Sequence, residues 1–157
     1  MTGAHADLVR LGLVLPPPPE PAANYVPWVR AAGLVYVAGQ TPKIGNDLKY
    51  CGRLGAELSI AEGQAAAELC ALRLLSALQE AAGDLDRVAR IVKLSVFVKS
   101  TPEFTAHPAV ADAASRRIVA VLGDRGRHTR STIGVAGLPG NAAVEIEMVA
   151  QIGDSPT

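Results

Sequence analysis

The sequence predicts an α+β fold: a mixed β-sheet with two helices on one face. Three observations carry this. Val92, Leu94, Val96 and Val98 alternate with Lys93, Ser95, Phe97 and Lys99, the period-two signature of a half-buried strand. Ser59-Ile60-Ala61-Glu62 has capping-box spacing and opens a long apolar-periodic stretch. The element order β-β-(β)-α-β-α-β-β puts strand pairs at both ends, which favours a layered sheet with its helices on one side.

Taken in order, Pro16–Pro21 holds five prolines and Glu20 and reads as a stiff extended spacer. Residues 1–23 are therefore expected to be an extension, with a short helix over His5–Leu15 and the folded body starting near Asn24 (domain 24–157). Val26–Ala31 and Leu34–Gly39 form a hairpin through Ala32-Gly33. Thr41–Gly55 is loop, with one short strand near Leu48–Cys51. The first long helix runs from the Ser59 cap to Ala82 and stops at Gly83; its expected inward stripe is Ala65, Leu69, Leu72 and Ser76, flanked by Ala66, Leu75 and Leu78. Cys70 lies in this apolar surface and reads as packing. After the Ile91–Lys99 strand comes a second helix, Ala109–Leu122, and then strands Ser131–Ala136 and Ala143–Ile152. The turn at Gly137–Asn141 is expected to fold these last two against each other.

Composition excludes several classes of function. The chain is 49% hydrophobic and 19% charged, enough apolar material for a core and too much for a disordered chain. Fifteen basic residues balance fifteen acidic ones, so no net field recruits nucleic acid or anionic lipid. No apolar run reaches the roughly 18 residues of a membrane helix. Met1–Arg10 lacks the basic-then-apolar order of a signal peptide, and the expected location is cytoplasmic. Two cysteines make no disulfide framework. His5, His107 and His128 form no metal-ligand pattern, and no nucleophile elbow or Walker loop is present. No metal or cofactor is expected.

Leu34, Tyr36 and Ala38 oppose Val35, Val37 and Gly39, so one strand is apolar on both faces. Two helices cover one face, and the second implies another subunit. Two features can carry chemistry. Arg130 opens a strand beside Arg125, Arg127 and His128, where a guanidinium can hold a carboxylate through paired hydrogen bonds or simply form a salt bridge. Glu145 and Glu147 share the face opposite Val144, Ile146 and Met148. If that face is covered, at least one of the two is desolvated and its pKa rises; an ion pair locking the hairpin explains them equally well.

Arg130-Ser131, Val135-Ala136-Gly137-Leu138-Pro139 and Val144-Glu145-Ile146-Glu147 together resemble the RidA/YjgF family. Tyr25-Val26, Val37–Pro42 and Val92–Lys99 match it in the same order, so the likeness spans Asn24 to Ile152. It implies a chorismate-mutase-like fold and a homotrimer with ligand clefts between subunits. It also implies hydrolysis of reactive enamines and imines such as 2-aminoacrylate to 2-oxo acids and ammonia. By motif position, Arg130 matches the arginine that grips the substrate carboxylate and Glu145 the glutamate that positions water. Tyr25 matches a cleft tyrosine contributed across the interface, and Gly39 lies in the strand whose backbone lines the pocket. Thr132 stands where the family often has cysteine, and could steady the polar intermediate. Pro108 replaces a frequent asparagine, and the Phe104–Arg130 segment is about five residues longer than in the archetype. With the proline-rich extension, these departures resemble a divergent subgroup. Beside the deaminase reading stand a non-catalytic module that binds a small carboxylate metabolite and, ranked last, a ribonuclease.

Overall fold

The computed structural model describes residues 3–21 and 23–153. Helix α1 (Ala4–Arg10) precedes strands β1 (Trp28–Ala31) and β2 (Leu34–Gln40), and a two-residue ribbon follows, β3 (Lys43–Ile44) and β4 (Asp47–Leu48). Helix α2 (Ile60–Ala82), strand β5 (Val88–Lys99), helix α3 (His107–Leu122) and strands β6 (Thr129–Val135) and β7 (Val144–Ile152) complete the order. Five strands form one mixed sheet in the order β1-β2-β7-β5-β6, and α2 and α3 pack on one of its faces. The fold class is as the sequence predicts.

The first hairpin turns at Ala32 and Gly33, both at positive φ (49° and 77°), as the tight turns that match strand twist require. At the start of α2 both halves of the capping box are made: the Glu62 amide donates to Ser59 Oγ at 3.2 Å, and the Ser59 amide donates to Glu62 Oε2 at 2.8 Å. Glu62's carboxyl is held below its usual range by these bonds from Ser59.

Several expectations need correcting. The last two strands are not hairpin partners: β6 runs parallel to β5, and β5 separates it from β7. The Gly137–Asn141 turn therefore serves a crossover that steps over one strand. On β5 the alternation is broken by a bulge between Ile91 and Lys93, so Ile91 and Leu94 are buried and Val92 is 37% exposed; an extra residue flips every side chain before it. Of the expected α2 stripe, Ser76 and the flanking Ala66, Leu75 and Leu78 are buried, whereas Ala65, Leu69 and Leu72 are only partly so, and the buried arc extends instead to Ala67, Cys70, Ala71, Leu74 and Ala81. Helix α3 packs along its flank and shifts the buried arc. The strand expected near Leu48–Cys51 is instead the β3–β4 ribbon around Gly45-Asn46, with Cys51 making one bridge to Ala142. Strand β6 begins at Thr129, which puts Arg130 inside it.

The N-terminal segment does not hang free before Asn24. Ala4 and Leu8 are buried in the main core, and the Ala4 amide donates to Asp86 Oδ1 at 2.8 Å. The helix ends early because Gly12 turns left-handed (φ 65°). The proline run then lies along α2, where the Pro16 carbonyl accepts from Ser76 Oγ at 2.6 Å and Pro19 is buried. An extended arm of prolines has no amide hydrogens to satisfy, so it can lie flat on a helix as readily as it can project into solvent.

The uncovered face of the sheet exposes apolar side chains toward its two sides, on β1, β2 and β6, with Lys93, Ser95 and Glu147 between them. Val29 and Tyr36 are about half exposed (50% and 47%), as is Ile133 (51%). A groove of about 290 Å³ runs over it between Tyr36, Lys93, Ser95, Glu147 and Val149.

Candidate active site

Between Val37 and Gln40, two residues of β2 (Ala38 and Gly39) face one residue of β7, since Val37 pairs with Met148 and Gln40 with Ile146. This bulge re-aims the local backbone. It brings Gly39 beneath the Glu145 side chain, and a Cβ at Gly39 would lie 2.9 Å from Glu145 Cδ and nearer still to Oε1. Only glycine leaves that carboxylate its place. Glu145 is half-buried, and burial first, then the nearby charge of Glu147, raises its carboxyl above the usual range. Glu147, one pleat further on, is exposed.

The bulge is pinned from below. Gln40 is buried, its amide nitrogen donates to the Ala38 carbonyl at 3.1 Å, and its Oε1 accepts from Arg73 Nε at 3.2 Å. Arg73 is the one cation of α2 and reaches the cleft between the proline arm and β2. That cleft is lined by Tyr25, Gly39, Gln40, Lys43 and Arg73. Sequence reasoning missed Arg73. Its signal is a lone cation in a helix otherwise uncharged between Glu68 and Glu80.

Arg130 and Thr132 sit elsewhere. They pair with Leu94 and Val96, both buried toward the helices, and so lie on the helix side of edge strand β6. Glu145 pairs with Phe97 on the open side. Two strand spacings of about 4.8 Å and three residues of about 3.3 Å separate the pair, as does the sheet itself. The expected single neighbourhood of Arg130, Glu145 and Glu147 is not formed within one protomer, because β5 intervenes. Arg130 Nη1 donates to Asp112 Oδ1 at 2.8 Å and to Ser115 Oγ at 2.9 Å. Its Nε and Nη2 make no hydrogen bond among the described residues.

Ser115 also meets His128 Nε2 at 2.9 Å, while His128 Nδ1 donates to the Gly126 carbonyl at 2.6 Å. Burial lowers the His128 pKa, opposed by the bond to Gly126 and helped by the Arg130 charge. Other arginines nearby are paired, Arg117 with Glu68, Arg125 with Asp86 and Arg127 with Asp124. Cys70 is fully buried, and burial pushes its thiol far up, so it is no nucleophile. Among the described residues, no group of three or more His, Cys, Asp or Glu could hold a metal ion, and no helix is long and apolar enough to cross a membrane.

A five-stranded mixed sheet with its helices on one face, a bulged glycine beneath a half-buried carboxylate and an arginine on its edge strand define the class, a chorismate-mutase-like α+β domain. Within that class, residues 5–152 match the family described as "YjgF/chorismate_mutase-like, putative endoribonuclease", and the chain belongs to it. Protein TCP17 of Trypanosoma cruzi is 50% identical over 150 residues, which cover 94% of this chain and 92% of that protein. The crystal structure of Atu1372 from Agrobacterium tumefaciens, a protein of unknown function, is 41% identical, with a TM-score of 0.88 over 95% of this chain and 92% of that one. RidA from an Antarctic Psychrobacter is 26% identical, with a TM-score of 0.61 over 86% of this chain and 94% of that one. The higher TM-score and the larger share of this chain covered place it structurally nearer to Atu1372 than to that RidA.

Proposed function

We propose that the protein hydrolyses reactive enamines and imines of small amino-acid-derived carboxylates to 2-oxo acids and ammonia, in a site completed between protomers of a homotrimer. The observation that carries this is the half-buried Glu145 carboxylate seated over the side-chain-free Gly39. A base of raised pKa beside exposed backbone is suited to holding a water against a planar substrate.

The enamine first takes a proton at its methylene carbon to become the imine. Glu145 removes a proton from water as the water oxygen bonds to the imine carbon, and the nitrogen is protonated. The resulting carbinolamine collapses to the ketone as the C–N bond breaks and ammonia leaves. Imine hydrolysis is intrinsically easy, so orientation and one base suffice. Tyr25 and Gly39 line this half of the site. Arg130 and Thr132 face away from it in their own protomer, so they serve a neighbour's site. Arg130 offers the substrate carboxylate the two nitrogens that Asp112 and Ser115 leave unused, and Thr132 offers the intermediate a hydroxyl. The apolar open face around Val29 and Tyr36 supplies the surface on which protomers pack.

The test follows the loss of 2-aminoacrylate generated in situ. Wild type accelerates it, while Arg130→Ala and Glu145→Gln do not; an Arg130→Ala variant as fast as wild type refutes the mechanism. A second reading, binding without turnover, is favoured by the use of Arg130 Nη1 in an ion pair. Calorimetric binding of a small carboxylate with no turnover of any enamine selects it.

A further inference from the structure

Arg73 is half-buried, yet it forms no ion pair with any described residue. Its single hydrogen bond runs from Nε to Gln40, which fixes the plane of the guanidinium and leaves both terminal nitrogens unused. Lys43 lines the same cleft and likewise forms no ion pair among the described residues. The one acid in its lining, Glu20, is exposed and pairs with neither. A cation held in place, partly stripped of water and left with a free two-nitrogen edge is built to receive a planar oxyanion. The cleft holds about 50 Å³, room for a carboxylate group, and Arg73 and Lys43 also line a larger groove of about 360 Å³ along the proline run.

We propose that Arg73, assisted by Lys43, binds a second carboxylate on the ligand, so that the site selects small dicarboxylates over monocarboxylates. The cleft is lined by Gly39, whose other side seats Glu145, while Glu145 itself lies outside the lining; a ligand of four or five carbons passing Gly39 would present one end to Arg73 and its reacting carbon to Glu145. This deepens the deaminase reading and rests on it for the position of that carbon. Because Nε is already spent on Gln40, the recognition is by the outer edge of the guanidinium, which lysine cannot reproduce.

The test is calorimetric titration of the full chain with succinate, butyrate and inorganic phosphate at one ionic strength. Succinate is expected to bind at least tenfold more tightly than butyrate. Arg73→Gln brings succinate to the butyrate level and leaves butyrate unchanged. Lys43→Gln, at a less enclosed position, removes about threefold of the preference and decides the matter should Arg73→Gln fail to fold. Equal affinities for the two acids in wild type overturn the proposal, as does a preference that survives both substitutions, or phosphate binding as tightly as succinate. A succinate preference that depends on Arg73, in a protein that turns over no enamine, sinks the deaminase reading and leaves the dicarboxylate site standing.

Discussion

Replacing Gly39 by alanine separates fold from function sharply. The new methyl carbon would stand 2.9 Å from Glu145 Cδ, closer than a real Cβ tolerates, and 3.1 Å from Cγ, a tight contact. Gly39 does not lie in the left-handed region, so the backbone accepts alanine and only the glutamate must swing away. An off-rotamer side chain costs about 0.5–1.5 kcal/mol, and the Gly-to-Ala change returns about 0.4–1 kcal/mol by restricting the unfolded chain. Net stability is therefore expected to change by less than ~1 kcal/mol, a Tm shift of about 2–4 °C at most for a domain of this size. Displacing the base by ~1 Å is expected to cost about 100-fold in rate. The assay pairs a thermal melt with initial rates on in situ 2-aminoacrylate. Wild-type rates in Gly39→Ala would show that the seat of Glu145 over Gly39 plays no part in the chemistry. A fall in Tm of more than about 8 °C would show that the glycine serves packing instead.

Glu145→Gln should lose activity and gain stability at neutral pH. The folded pKa of Glu145 is raised above 4.5, so its contribution to stability is fully present below the unfolded value and is lost as pH rises through the folded one. A melt at pH 7 should show the variant higher by ~1–3 °C, with the gap closing below about pH 4.5; a lower Tm at pH 7 would contradict the burial argument. Ser59→Ala removes both arms of the capping box and is expected to cost about 1 kcal/mol, read as a lower denaturant midpoint with unchanged slope. Thiol titration should find one fast equivalent in the native protein, the exposed Cys51, and a second only on unfolding, since Cys70 is buried. Two fast thiols would mean that α2 opens readily.

Where local rules and tertiary packing agree, the chain was readable. The capping box at Ser59, the Ala32-Gly33 hairpin turn and the shared outward face of Glu145 and Glu147 follow from spacing alone. What spacing could not report is which strands become neighbours. A five-residue turn before β7 looks like a hairpin, yet β5, formed some thirty residues earlier, occupies the place between β6 and β7, and this separates Arg130 from Glu145. The bulges at Ala38-Gly39 and Val92 were hidden for a related reason, because an extra residue shows only against its partner strand. Arg73 escaped notice because a single cation on an apolar helix is ordinarily a surface charge. Its role emerges only once Gln40 and the proline arm enclose it. The arm itself was visible, but where it lies depends on a hydroxyl at Ser76 sixty residues away.

Four successive prolines along α2 also determine what this arm cannot become. A segment that offers carbonyls but no amide protons over that stretch cannot be recruited as an extra strand by the free edge of β6, in its own protomer or another. Sequence can therefore drift in this shield without turning it into a seed for aggregation, provided that the prolines stay.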